Sequence, residues 1–218
     1  MKKYLKIGIS ALLIASTSVF FNQAWASTLI ASYPTSNYTS IQYMGVYDGT
    51  GSYPYRGESF KTSNDVILDN VQFYLYYGPG ATATGTAYAL IYNESHTIGY
   101  GVDSIPTGNP LATSTGIDVG SLTQNSLTLS TFNFTGSNAI RLSALTNYIV
   151  ELFWNNGNTY NLFGVGIAFP STDSGNGNSS IDGTTWGVST SAKIYYVYGN
   201  PIININTSGQ KMLSAMAF

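Results

Sequence analysis

Between Val66 and Tyr77 the side chains alternate with a period of two. Val71, Phe73, Leu75 and Tyr77 fall to one side, Gln72, Tyr74 and Tyr76 to the other. That rhythm suits a strand with one buried face and cannot present a single face on a helix. Gly78-Pro79-Gly80 then stops it, because proline lacks the donor a ladder needs and glycine admits positive φ. The same pattern recurs along the chain. Ala87, Ala89 and Ile91 alternate with Tyr88, Leu90 and Tyr92 over Thr84–Tyr92, and Leu127–Phe134 alternates cleanly. Asn147–Trp154 is apolar almost throughout, which predicts a strand buried on both faces. Further strands are expected near 113–119, 162–169 and 193–198, with Gly199-Asn200-Pro201 ending the last. Residues 93–109, with three glycines and one proline, and Ser171–Ser180, without a large side chain, read as loops. A further short strand is expected at Ile202–Ile205.

Helical periodicity is nearly absent after the N-terminal segment. Eight or more short strands separated by turn signals predict an all-β fold, a single antiparallel β-sandwich of jelly-roll-like topology, with a closed barrel as the rival. No cysteine is present, so no disulfide staples the fold. The core has to hold it, and 18 Tyr and 10 Phe supply the apolar surface.

The first 26 residues read as a signal peptide. Lys2, Lys3 and Lys6 precede an apolar stretch from Ile7 to Phe21, and Ala24-Trp25-Ala26 is a small-x-small cleavage pattern. The stretch is short and serine-interrupted for a membrane span, so the mature chain is expected to begin at Ser27, exported and without a span. The domain expectation is 27–200 for the sandwich and 201–218 for a C-terminal strand or tail. The whole chain carries 8 Lys+Arg and 10 Asp+Glu; without the three leader lysines the balance is 5 against 10, a net of −5. Such a surface has no footprint for nucleic acid and no polybasic patch for anionic lipid.

Several segments, in order, resemble a known family. Gly57-Glu58-Ser59-Phe60, Val71-Gln72-Phe73-Tyr74-Leu75 and Pro106–Ser114 come first. Phe132-Asn133-Phe134 with Leu142–Leu152 follows, and Asp182-Gly183-Thr184-Thr185-Trp186 with Tyr195–Gly199 closes the series. Together they are similar to the choice-of-anchor domains of exported bacterial proteins, related in look to jelly-roll carbohydrate-binding modules. The resemblance implies an extracellular, non-enzymatic sandwich and leaves the ligand open. Two departures stand out. No C-terminal anchoring signal is evident, since Met212–Phe218 is too short to span a membrane. The family's L-x-A-G-T reads Leu142-Ser143-Ala144-Leu145-Thr146, without its glycine.

The catalytic inventory is thin. His96 is the single histidine, so a Ser-His-Asp triad would have to use it. A glycosidase needs two carboxylates facing one another. Glu58, Glu94 and Glu151 are the glutamates, and Glu151 sits in the most apolar strand, where burial would suit a general acid. An outward position for Glu151, solvated or paired with Arg141, is the plainer account. One His and no Cys disfavour transition metals. Calcium fits better: Asp173, Asn176, Asn178 and Asp182 offer oxygens in a glycine-rich segment. Aromatic side chains are the main binding clue. Trp186 beside Asp182 is one candidate contact for a sugar ring, and the cluster Tyr33, Tyr38, Tyr43, Tyr47, Tyr53 and Tyr55 near the N-terminus is a second. Tyr74 and Tyr76, with Tyr88 and Tyr92, are another, as an outward stripe across two strands; cross-strand tyrosine pairs also stabilise sheets without binding anything.

The expectation is thus a secreted, non-catalytic surface-binding module for glycan or another extracellular polymer. The alternatives are a structural subunit of an extracellular matrix or appendage, self-associating through the C-terminal tail, and a glycoside hydrolase.

Overall fold

A computed structural model describes residues 27–44, 53–80, 84–95, 105–155, 163–168, 177–180, 182–189 and 191–202. They form two antiparallel sheets packed face to face. The first has eight strands: β1 (Thr28–Tyr33), β2 (Ser40–Met44), β4 (Val66–Tyr77), β8 (Ser126–Asn133), β9 (Arg141–Leu142), β11 (Phe163–Ala168), β14 (Ala192–Lys193) and β15 (Tyr195–Pro201). The second has seven: β3 (Tyr55–Lys61), β5 (Thr86–Glu94), β6 (Pro106–Thr113), β7 (Ile117–Asp118), β10 (Asn147–Trp154), β12 (Gly177–Ser180) and β13 (Trp186–Ser189). No helix among the described residues is long and apolar enough to cross a membrane.

The long strand β4 organises the eight-stranded sheet. Its residues 66–73 pair with β15, and 75–77 pair with β11 along the same edge. β9 and β8 pair along the other edge. In the seven-stranded sheet the order is β13-β12-β3-β10-β5-β6, with β7 also on β5. The chain changes sheets repeatedly, from β3 to β4 to β5 and again from β9 through β12. Each change sends alternate residues inward from both sides. The expected inner faces are present: Val71, Phe73 and Leu75 from β4 and Ala87, Ala89 and Ile91 from β5 are all fully buried. Trp154 and Phe163 meet edge to face at 5.2 Å between the sheets, and Trp154 Nε1 donates to the Thr84 carbonyl.

Three segments differ from the sequence reading. Residues 106–113, read mostly as loop, form β6 despite two prolines. β6 is the edge strand, its pairing with β5 carries an irregularity between Ile91 and Asn93, and proline is tolerated where no ladder donor is required. Gly177–Ser180, read as loop, is β12, held between β3 and β13 despite small side chains. β15 does not stop before Pro201; a bulge at Tyr198/Gly199 re-registers it, and Pro201 still faces Val66. The expected 1–26 signal peptide, His96 and residues 203–218, with most of the expected Ile202–Ile205 strand, lie outside the described residues. Ile202 itself donates to the Asp65 carbonyl and is not in a strand.

The Leu142–Thr146 turn places a leucine in the left-handed region. Leu145 takes φ 57° and is 72% exposed, with its N–H donating to the Thr62 carbonyl. A β-carbon in the left-handed region costs roughly 1–2 kcal/mol, while glycine costs up to about 1 kcal/mol in unfolded-chain entropy. Leu145→Gly is therefore expected to stabilise the protein by about 0.5–1 kcal/mol, read as a higher urea midpoint. An unchanged or lower midpoint would show that the turn carries no such strain.

Candidate functional site

The outer face of the seven-stranded sheet carries an aromatic surface that the strand register builds row by row. Tyr55 on β3 lies directly opposite Phe153 on β10, and Phe153 lies directly opposite Tyr88 on β5. On the other side, Tyr55 faces Ser180 on β12, which in turn faces Trp186 on β13. One cross-strand row thus runs Trp186, Ser180, Tyr55, Phe153, Tyr88. The Tyr55 and Phe153 rings stack at 4.5 Å and 17°, and Phe153 and Tyr88 at 6.3 Å and 22°. Four inter-strand spacings of about 4.8 Å make the row roughly 19 Å long.

Two rows further along β5 stands Tyr92. Its ring meets Trp186 at 5.9 Å and 69°, while Trp186 meets Tyr55 at 5.6 Å and 75°. The three rings converge over the row between them, where Glu151 faces Gly57. This explains an otherwise unfavourable placement. Glu151 points to the outer face of the sheet, yet it is fully buried. Its carboxylate occupies the space a β-carbon would take at Gly57. Glycine is therefore what lets a carboxylate lie flat on β3 under the rings. Arg141, the partner considered from sequence, bonds to Asp65 instead, and Asp65 Oδ1 also accepts from the Ala144 N–H at 2.7 Å. Glu151 is neither solvated nor paired with Arg141.

Beside this roofed carboxylate lies an open groove of about 340 Å³. Tyr55, Phe153, Tyr88, Leu90 and Tyr92 line its floor, and Pro110 and Thr113 of the β6 edge form a wall. The floor is apolar with phenol edges. Burial raises the hydroxyl pKa of both Tyr92 and Tyr55, and the Glu151 charge adds to this in each. Both hydroxyls are thus held as neutral donors.

Trp186 and Asp182 fall at this site, with different roles. Trp186 is half-buried in the ring cluster. Asp182 shapes the turn that leads into β13: its Oδ1 accepts from the Thr184 and Thr185 N–H groups at 2.8 and 2.7 Å, and Oδ2 from Thr185 Oγ1 at 3.2 Å. Those bonds, Thr185 first, hold its carboxyl well below the usual range. The turn presses onto the platform, because a β-carbon at Gly183, where φ is 75°, would lie 2.8 Å from Tyr55 Cζ. Asp182 Oδ1 is also within 3.2 Å of Ser180 Oγ. Its oxygens are engaged in holding this turn. Of the other calcium candidates, Asp173 and Asn176 lie outside the described residues, and the Asn178 backbone is paired with Gly57 and Val188. Among the described residues no three His, Cys, Asp or Glu side chains gather as a metal would need.

The tyrosine stripe divides. Tyr88 and Tyr92 join the groove, but Tyr74 and Tyr76 sit on the outer face of the opposite sheet, because β4 and β5 are not a hairpin within one sheet. A sandwich core about 10 Å thick separates the two faces. Tyr76 packs edge-on against Tyr43 at 6.3 Å and bonds to Asn125 Oδ1, as cross-strand tyrosines do in structural roles. Tyr55 comes from the N-terminal tyrosine cluster, whereas sequence reasoning missed Phe153. The signal for it was the two-faced burial of β10, which requires something apolar outside the sheet as well as inside.

The three glutamates do not form a facing pair. Glu58 points between the sheets, where it accepts from the Lys193 N–H at 2.9 Å. Glu151 points outward under the rings. Glu94, partly exposed, accepts from Ser59 Oγ at 3.2 Å.

No model of a known protein family matches the chain, and no curated protein matches it.

Proposed function

We propose that this chain is an exported, non-catalytic module that binds an extracellular glycan in the groove on the outer face of the seven-stranded sheet. The observation that carries the reading is the cross-strand row Tyr55–Phe153–Tyr88. It presents near-parallel rings along a line, walled on one side by Pro110 and Thr113. The stacked rings and Leu90 make an apolar strip along which the C–H groups of a sugar chain can lie, while phenol hydroxyls and the β6 edge supply polar contacts. The family resemblance of the ordered segments points the same way, as does the leader-like N-terminus. A hydrolase is disfavoured because Glu151 has no solvent access and Glu58 faces away from the groove.

The test is a polysaccharide and glycan binding screen on the purified protein, with light scattering in parallel. Saturable binding by a monomer is expected. Phe153→Ala, at the centre of the row, should then weaken binding about tenfold or more, equivalent to about 1.4 kcal/mol, while Tyr76→Ala on the opposite face should leave it unchanged. Binding lost equally in both variants, or no binding together with concentration-dependent assembly, would overturn the reading in favour of a structural subunit.

A further inference from the structure

We infer that the groove holds the end of a glycan chain, or a free oligosaccharide of the same few units, and not a stretch inside a long polymer. This inference rests on the glycan reading and sets which part of the chain is bound. The groove is closed at both ends. Its length runs across the strands, from Tyr55 on β3 over Phe153 and Leu90 to Pro110 and Thr113 on β6. That path crosses three strand spacings, about 14 Å. At the β6 end Thr113 lies directly opposite Leu90, so its side chain stands on the same face of the sheet, across the path. Pro110 stands beside it, on the stretch between Thr107 and Ala112 where the pairing with β5 is irregular.

At the β3 end the stop is the hairpin of β12 and β13. Its turn presses against the Tyr55 ring, where a β-carbon at Gly183 would lie 2.8 Å from both Cζ and the hydroxyl oxygen. Trp186 follows the turn, and its ring meets Tyr55 at 5.6 Å and Tyr92 at 5.9 Å. The strands β13 and β5 are four spacings apart, about 19 Å, so Trp186 leans back over the face to reach Tyr92. Bonds inside the hairpin hold this posture: the buried Ser180 Oγ donates to the Thr185 carbonyl at 2.6 Å and accepts from the Gly183 N–H at 2.9 Å.

Along β5 the space is bounded as well. Tyr88 and Tyr92 rise on either side of Leu90, four residues apart, about 13 Å. The groove is thus open above and bounded at its sides by described residues. Its volume of about 340 Å³ is at the small end of the range for ligand sites, with room for on the order of two or three sugar units. The interior of a polymer would have to bend out of the groove at both ends. A chain end needs only one exit.

The experiment is titration calorimetry of the purified full chain with oligomers of one to six units, and with soluble polysaccharides, of glucose, mannose, galactose and xylose. Any other sugar that the wider screen picks out enters the same series. Affinity is expected to climb over the first units and to change by less than about twofold beyond about four. On the polysaccharide, bound protein per gram should follow the number of chain ends, so that mild acid cleavage raises it in proportion. Binding to oligomers with none to the polysaccharide also supports the closed groove and identifies free oligosaccharides as the source.

Opening an end should change what is bound. Trp186→Ala removes the ring behind Tyr55. Pro110→Ala combined with Thr113→Ala lowers the wall at the β6 edge, where Pro110 is exposed, and keeps the inference testable if Trp186→Ala does not fold. In the opened variants affinity should go on rising at five and six units, by more than about twofold, and binding to uncut polysaccharide should lose its dependence on chain ends. In the parent, affinity that keeps rising past about four units, or polysaccharide binding unchanged by cleavage, overturns the chain-end inference and leaves the glycan reading standing. A parent-like plateau in every folded variant overturns the assignment of the stops to these two ends. Absence of binding to any sugar in the wider screen overturns the glycan reading, and this inference with it.

Discussion

Gly57→Ala should destabilise the protein by about 2–3 kcal/mol, the upper range for overpacking a filled site. At an ordinary strand position the same change would stabilise by roughly 0.5–1 kcal/mol, because glycine is a poor strand residue. The reversal follows from Glu151, whose carboxyl carbon and both oxygens occupy the space of the new methyl group. The carboxylate has nowhere to retreat. The sheet is below it, and the Tyr55, Tyr92 and Trp186 cluster closes above. Glu151→Ala should relieve the clash, so the double variant should be more stable than the two single costs predict, with a coupling of at least about 1 kcal/mol. Urea unfolding of the four proteins measures this. A Gly57→Ala variant as stable as the parent would mean that Glu151 relocates at little cost and that the ring cluster does not hold it.

The sheets could be read from the sequence because their alternation is written in adjacent residues. Val71, Phe73 and Leu75, and Ala87, Ala89 and Ile91, point inward as their spacing demands. Which sheet each strand joins is a different matter. β4 and β5 are consecutive and both tyrosine-rich, yet they lie in opposite layers. Tyr74 and Tyr76 were thereby separated from Tyr88 and Tyr92, although period and composition are the same in all four. The groove depends on a register among β3, β10 and β5, three strands far apart in the chain. No local pattern brings Tyr55 opposite Phe153, and no spacing rule places Glu151 over Gly57. Trp186 and Asp182 were recognisable because they share one turn. Their roles were not, because Asp182 holds the turn through bonds to backbone groups that any Asx turn would offer. The edge strand β6 was hidden by Pro106 and Pro110, whose meaning reverses once the strand is known to have a free side.

Lys193→Met should cost about 3–5 kcal/mol, the usual penalty for removing one member of a buried charged set. Lys193 is fully buried on β14, pointing between the sheets, where its Nζ donates to the Ser191 carbonyl at 3.0 Å and its backbone N–H to Glu58 Oε2. Arg56 shares this interior, 4.7 Å over the Tyr53 ring. Together with Glu58 and Glu151 the set contains two cations and two carboxylates, so deleting one cation leaves a buried negative charge without its balance. The paired change Glu58→Gln with Lys193→Met should recover much of the loss, since a neutral pair needs no balance. The same lysine gives a pH signature. Burial lowers its pKa from 10.5 to about 8, against the opposing pull of Glu58. Below about 8 the lysine is charged both folded and unfolded, and folding bears the full desolvation cost. Between 8 and 10.5 the unfolded chain holds the proton more often than the folded one, so stability rises with pH. Arg56, lowered to about 10 by burial, adds the same trend only above that value, and the raised Tyr55 and Tyr92 oppose it only above their ordinary value of 10. The interval from 8 to 10 therefore belongs mainly to Lys193. Urea midpoints should climb across it in the parent and stay level in Lys193→Met. A level parent profile, or a Lys193→Met cost below about 1 kcal/mol, the range of an exposed ion pair, would show that the interior is wetter or more pliant than a sealed sandwich core.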